Sequence, residues 1–322
     1  MIVDNSEENI RRGAEIIKEG GLVAFPTETV YGLGGNSLDA RSVAKIFEAK
    51  RRPSFDPLIT HIADFEALDR LADIKDRRVY DVVEKLWPGA LTIIVPKREI
   101  IPDLVTSGLD TMAIRMPDHP TALELIRLST GAVAAPSANP FGYLSPTRAA
   151  HVEASLGDRI DLVLDGGECR VGVESTVLDM TRDIPTVLRP GGIDVETLRE
   201  LLGDVDVLDR TSKTPKAPGQ LPMHYSPRKA LHIVNSPGDV PGDRLIRKQS
   251  AFLSFRGEGD LTSFGTVEVL SAKGDYLEAA SRLFAALHRL DESGADVIYA
   301  EAVPSVGLGA AVMDRIYKAS EK

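Results

Sequence analysis

Two basic side chains two positions apart, Lys50 and Arg52, lie between a helix-like run and a loop stiffened by Pro53 and Pro57. On an extended stretch that spacing puts both on one side, pairing a point charge with a planar fork that suits polyphosphate oxygens. The competing reading is a solvated helix end that complements the macrodipole. Arg52 itself is expected as a surface arginine with little packing. A second group, Ser137 and Asn139 in "APSAN", ends a strand of small residues at its carboxyl end, where α/β proteins bind ligands. A simple polar turn is the alternative. "GVESTVLDM" places Glu174, Ser175 and Thr176 at a strand start, and "LRPGG" ends a strand in Arg189. Arg115 stands inside the apolar strand "TMAIRMP", so it needs a carboxylate or a ligand as partner. His61 taken alone reads as a core histidine.

These residue types are cations with hydroxyls and amides at strand ends. There is no Ser-His-Asp order, no paired catalytic carboxylates, no Walker loop and no dinucleotide fingerprint. The set suits neutralising and positioning a phosphate ester better than covalent catalysis. Spacing alone therefore points to an anionic-ligand site in an α/β domain.

The positioning elements follow from periodicity. Ser6 is placed to cap a helix carrying Ile10, Ala14 and Ile17, which Gly20-Gly21 ends. Asp39 is placed to cap a second, through Val43, Ile46 and Phe47. Strands are predicted at 22–25, 57–62, 90–96, 111–117 and 132–136, and in "IDLVLDGG", "ESTVLDM" and "PTVLRPGG". Helices are predicted in "FEALDRLA", "RRVYDVVEKLW", "TALELIRL", "TRAAHVEASL" and "DVETLRELLG". Their irregular alternation predicts a mixed sheet over residues 1–208. Residues 209–229 hold four prolines and no apolar periodicity, which reads as a linker. Residues 230–322 alternate strands and helices as a smaller, mostly parallel, Rossmann-like unit.

The 322 residues are 43% hydrophobic and 27% charged, with net charge −10. That balance opposes long-range steering to nucleic acid or anionic lipid. Cys169 is the single cysteine, which excludes an internal disulfide and a multi-thiolate metal site. The acidic N-terminus does not read as a signal peptide, and no apolar run approaches the ~18 residues of a membrane span, so a cytoplasmic protein is expected.

"FPTETVYGLG", "IFEAKRRP", "APSAN", "GVESTV" and "LRPG", in this order, closely resemble the threonylcarbamoyl-AMP synthase family with its YrdC-like core. "APGQLPMHYSP" and the small domain beyond it resemble the family's longer two-domain form. The resemblance implies a twisted mixed sheet around a positively charged cavity. It implies an enzyme that makes threonylcarbamoyl-AMP and pyrophosphate from L-threonine, bicarbonate (or CO2) and ATP. The product would feed the tRNA threonylcarbamoyl-transfer machinery, which makes N6-threonylcarbamoyladenosine, with no stable nucleic-acid binding.

By motif, Lys50 and Arg52 would neutralise the triphosphate, and Ser137 and Asn139 would lie near phosphate and Mg2+, the latter brought by ATP. Thr29, His61, Arg115, Ala135 and Ser175 match threonine-holding positions. Asp56, Thr111, Ser145 and Arg189 match ATP-contacting ones, and Tyr225 belongs to a linker motif that folds over the cavity. Three departures stand out: Asp56 replaces the usual Asn, H-Y-S-P replaces H-Y-A-P, and Gln220-Leu221 replaces a Met-Lys region. Two other readings compete. A double-stranded RNA or ribosome-binding module is opposed by the acidic net charge, and a hydrogenase-maturation-type carbamoyl-transfer domain by the lack of cysteine-rich zinc fingers.

Overall fold

Apolar spacing and capping residues set most element boundaries in the computed structural model, which describes residues 1–208, 224–242 and 244–321. In chain order the first elements are β1 (Ile2–Asp4), α1 (Glu7–Lys18), β2 (Val23–Phe25), β3 (Gly32–Asn36) and α2 (Ala40–Lys50). Then come β4 (Ile59–His61), α3 (Phe65–Leu71), α4 (Arg78–Leu86), β5 (Leu91–Pro96), α5 (Asp103–Thr106) and β6 (Thr111–Arg115). Next are α6 (Pro120–Leu128), β7 (Val133–Ala134), α7 (Ala149–Leu156), β8 (Leu162–Asp165), β9 (Thr176–Asp179) and β10 (Thr186–Arg189), followed by α8 (Val195–Leu202) and β11 (Asp206–Val207). Asp39 caps α2 by accepting from the Arg41 N–H, as expected, whereas the Ser6 side chain makes no cap bond to α1.

These strands form one mixed sheet in the order β1-β8-β2-β3-β7-β4-β6-β5-β9-β10-β11. Parallel pairs such as β4/β6 alternate with antiparallel ones such as β5/β6. Three strands lie outside the sequence reading: β1, β3 and β11. In β3 the glycines look like a loop but pack as a strand. A Cβ on Gly34 would come within 2.7 Å of the Phe25 ring and 2.9 Å of Val133, so only glycine lets the neighbours approach.

The second sheet is built from β12 (Ala230–Val234), β13 (Ser250–Ser254), β14 (Thr266–Val269) and β15 (Val297–Glu301), with α9 (Arg244–Lys248), α10 (Tyr276–Glu292) and α11 (Leu308–Ser320). Its order is β12-β15-β13-β14 and every pairing is parallel, as the alternation predicted. The two parts share a core: Val30, Leu144 and Val173 pack in one apolar cluster with Tyr225, Leu283, Phe284 and Met313. Residues 209–223, most of the proline-rich stretch including Gln220, Leu221 and Met223, lie outside the described residues.

Candidate active site

The basic cluster is aimed by the end of α2. Arg51 adopts φ 53, and the N–H groups of Arg51 and Arg52 donate to the carbonyls of Glu48 and Phe47, a Schellman turn with arginine where glycine is usual. That turn, rather than an extended stretch, brings Lys50 and Arg52 to the same inner side and leaves Arg51 exposed. Arg52 is buried, correcting the expectation of a surface residue. Its Nε donates to the Asp56 carbonyl and its Nη2 to the Pro57 carbonyl, each at 2.9 Å. Nη2 also lies 2.8 Å from Asp56 Oδ2, although neither Asp56 carboxylate oxygen is in hydrogen-bond alignment. Lys50 Nζ donates to the carbonyls of Ser137 (2.5 Å) and Asn139, so it braces the "SAN" turn from behind.

Lys50, Arg52 and Arg189 crowd around a single carboxylate, Asp56. Burial, and then the charge of Arg52, pulls the Lys50 ammonium well below its usual value. Burial likewise raises the Asp56 carboxyl, which Arg52 and Lys50 only partly offset. Arg189 also acts on Glu174, the second buried carboxylate of the site, and a buried cluster of cations of this kind is relieved by a polyanion.

Across the cavity, Arg115 at the end of β6 donates from Nη1 to Thr29 Oγ1 (2.9 Å) and from Nε to the Gly89 carbonyl (3.1 Å). Its Nη2 lies 2.6 Å from Glu28 Oε1, the structural carboxylate that a buried arginine requires. Thr29 is further held by Thr27, their hydroxyls 2.8 Å apart. His61, ending β4, is lowered to about 3, first by burial and then by Arg115, so its imidazole is neutral at physiological pH. Ser175 Oγ lies 2.7 Å from Thr92 Oγ1, and its carbonyl accepts from Arg189 Nη2 at 2.8 Å.

These groups enclose about 490 Å³ of space, part of it open to solvent. Thr29, Arg52, His61, Arg115, Ala135, Ser137, Ser175, Arg189 and Tyr225 line it, together with Glu174 and His224. The other sequence-derived candidates stand one layer back. Lys50 and Asn139 support Ser137, Asp56 pairs with Arg52, and Ser145 Oγ donates to Glu174 Oε1 at 2.5 Å. Thr111 opens β6, at the far end from Arg115, where it pairs with Pro96 of β5, and it does not line the cavity.

Tyr225 closes the cavity in an unusual way. Its φ is 62, a region that costs a non-glycine residue about 1–3 kcal/mol unless its surroundings hold it there. Its ring packs on His224 and on Phe284 of α10, and its hydroxyl is buried without a hydrogen-bond partner. Burial, and then Glu174, pushes that phenol above its usual value.

Sequence reasoning gave no role to Glu28 or Arg315, and it noted Glu174 at a strand start and His224 in the H-Y motif without naming a partner for either. Glu28 and Glu174 sit inside the quoted motifs, and the buried Arg115 called for a carboxylate without naming it. Arg315 is 141 residues from its partner Glu174, and periodicity carries no signal across that separation.

A family model described as telomere recombination (Sua5, YciO, YrdC) matches residues 15–191. A second, described as the threonylcarbamoyl-AMP synthase C-terminal domain, matches residues 193–321. The threonylcarbamoyl-AMP synthase of Pyrococcus abyssi is 45% identical over 98% of this chain and 94% of its own. The chain belongs to the threonylcarbamoyl-AMP synthase family. The Bacillus subtilis threonylcarbamoyl-AMP synthase is 42% identical over 99% of this chain and 94% of its own. A crystal structure of P. abyssi Sua5 complexed with L-threonine superposes with TM-score 0.91 at 42% identity, covering 99% of this chain and 97% of that one. Both domains of this threonylcarbamoyl-AMP synthase family member therefore align across nearly their full length.

Proposed function

We propose that this protein is a nucleotidyltransferase that joins L-threonine, bicarbonate and ATP into threonylcarbamoyl-AMP, releasing pyrophosphate and water, for tRNA modification. The observation that carries this is one cavity lined both by the cations Arg52 and Arg189, which suit phosphates, and by Thr29, Arg115 and the neutral His61, which suit an amino acid.

The threonine amine reacts with CO2 to give a carbamate. A carbamate oxygen then attacks the α-phosphorus of ATP, forming the new P–O bond as the bond to pyrophosphate breaks. No protein nucleophile is required, and the chain contributes by positioning and charge. Arg115 and Thr29 hold the amino acid through its carboxylate, with Arg115 already screened by Glu28. Ser175 and the Ala135 backbone shape the rest of that pocket. Arg52 and Arg189 neutralise the triphosphate and Ser137 orients it, while Lys50 holds the Ser137–Asn139 turn and Ser145 holds Glu174 from behind.

The Asn139 amide nitrogen donates to the carbonyls of Pro140 and Tyr143, both at 2.9 Å, which turns Oδ1 the other way; that buried oxygen has no partner. A lone amide oxygen beside a phosphate site suits a magnesium ion carried largely by the phosphates, and no cluster of three metal-binding side chains exists among the described residues. Magnesium would supply charge neutralisation on the phosphate oxygens.

Carbamate and acyl adenylate both hydrolyse readily, so Tyr225 over the cavity has a purpose in excluding water. The product passes to a downstream threonylcarbamoyl transferase acting on tRNA. No helix of the described residues is long and apolar enough to cross a membrane, and substrates such as ATP and bicarbonate support a cytoplasmic reaction. Mass analysis after incubation with carbon-labelled bicarbonate, ATP and L-threonine tests the reading: the label should appear in threonylcarbamoyl-AMP. Unlabelled threonyl-adenylate as the product would overturn it.

A further inference from the structure

Arg315 belongs to the C-terminal helix α11, yet its side chain is fully buried against the walls of the cavity in the other domain. Its Nε lies 2.7 Å from Glu174 Oε2, and its Nη1 donates to the Pro190 carbonyl at 2.9 Å. Its guanidinium carbon lies 5.0 Å from the centre of the Tyr225 ring. One planar group thus ties together three segments that line the cavity: Glu174–Ser175, Arg189–Pro190 and His224–Tyr225.

Each tie carries further. The Glu174 carbonyl accepts from the Gly192 N–H at 3.0 Å, and the Ser175 carbonyl accepts from Arg189, so Arg315 braces a turn already stitched to the phosphate end. Tyr225 holds a left-handed backbone conformation, and the groups flanking its ring from α10 and α11, Phe284 and Arg315, both come from the C-terminal domain.

We propose that Arg315 is a positioning residue by which the C-terminal domain seats Tyr225 over the cavity and sets the Glu174–Arg189 wall. A lysine would not reproduce this, because an ammonium cannot bridge a carboxylate and a carbonyl while lying flat on a ring. The inference rests on the proposed reaction and gives the smaller domain a part in it.

The test is a mutant cycle on the full chain, reading threonylcarbamoyl-AMP formation with thermal melting as a fold control. Removing Arg315 alone strips Glu174 of its ion-pair partner, whereas Asp314, which Arg315 also contacts, keeps Lys318, so Arg315→Met is made in a Glu174→Gln background. With Tyr225 present, that step should lower turnover about tenfold; with Tyr225→Ala, it should cost under about threefold, because the seat has lost its occupant. Equal costs in both backgrounds, or no cost in the first, would overturn the inference. If the Arg315→Met chain does not fold, Arg315→Lys carries the same comparison, with an expected loss of about threefold that disappears with Tyr225→Ala. Inactive wild-type protein would overturn the proposed reaction itself, whereas active wild type with indifferent variants would overturn only the role of Arg315.

Discussion

At the scale of single residues, the site is a set of buried charges whose partners decide the effect of each change. Arg52→Ala should nearly abolish turnover and, contrary to a surface role, should also destabilise the protein by up to about 3 kcal/mol, because buried Asp56 loses its closest cation and keeps only Lys50 and Arg189 nearby. Adding Asp56→Asn to Arg52→Ala should recover most of the lost melting temperature while leaving turnover down by at least about 100-fold. A double variant as unstable as the single one would show that the pair is not what Arg52 contributes to stability. Asp56→Asn alone should lower the KM for ATP by about 3–10-fold, since it takes a negative charge from beside the triphosphate. An unchanged or raised KM would mean that the carboxylate serves the nucleotide rather than opposing it. The residue types at this site were legible in the sequence. Their pairings were not: Glu28 with Arg115 and Asp56 with Arg52 depend on which strand ends meet in space.

At the scale of elements, two local features aim the site. The Schellman turn at Arg51 requires a left-handed residue, and a sequence of three basic residues hides that requirement because glycine is its usual mark. Arg51→Gly should therefore raise stability by up to about 1 kcal/mol with turnover retained, whereas Arg51→Val should lower both as the β-branched side chain re-aims Arg52. Chemical denaturation paired with turnover measurements on the two variants decides this; equal behaviour would mean that the turn is not strained. The second feature, β3, was invisible for a related reason. Its run Gly-Leu-Gly-Gly has low strand propensity and becomes a strand only because Phe25, Ala135 and Val133 fill the space above the glycines. Longer periodic helices such as α1, α2 and α10 were legible because their burial follows their apolar spacing, and β5 because its continuous apolar run is buried throughout.

At the scale of the whole molecule, the two sheets are joined by a continuous apolar core and by polar ties, including the stacked rings of His151 in α7 and His288 in α10 at 4.0 Å. Composition and alternation revealed two units. That the second supplies Arg315, Phe284 and part of the closed wall was not legible, since contacts between distant segments leave no periodic trace.

Burial, with neighbouring positive charge, lowers His61 and His151 each to about 3. Both are therefore neutral in the fold, while the unfolded chain binds protons below its ordinary value near 6.5. Stability is then full above about pH 6.5 and declines as pH falls towards about 3, by about 1.4 kcal/mol per pH unit for His61 and less for the more exposed His151. Urea midpoints should fall between pH 7.5 and 4.5 at least that steeply, since burial lowers His119, His224 and His288 as well, and His151→Asn should flatten part of the slope, because the amide keeps an acceptor for the Thr147 N–H without taking up a proton. A midpoint that does not move with pH would contradict the neutral burial of both rings.

The proposed reaction itself is tested most directly by pyrophosphate release with each substrate omitted in turn. With ATP, L-threonine and bicarbonate all present, one pyrophosphate should appear for each threonylcarbamoyl-AMP formed, and omission of threonine or bicarbonate should stop the release. L-serine should replace threonine about 10–200-fold less well, the discrimination that one methyl group supplies. Release of ADP and phosphate, or of pyrophosphate without threonine, would contradict the account.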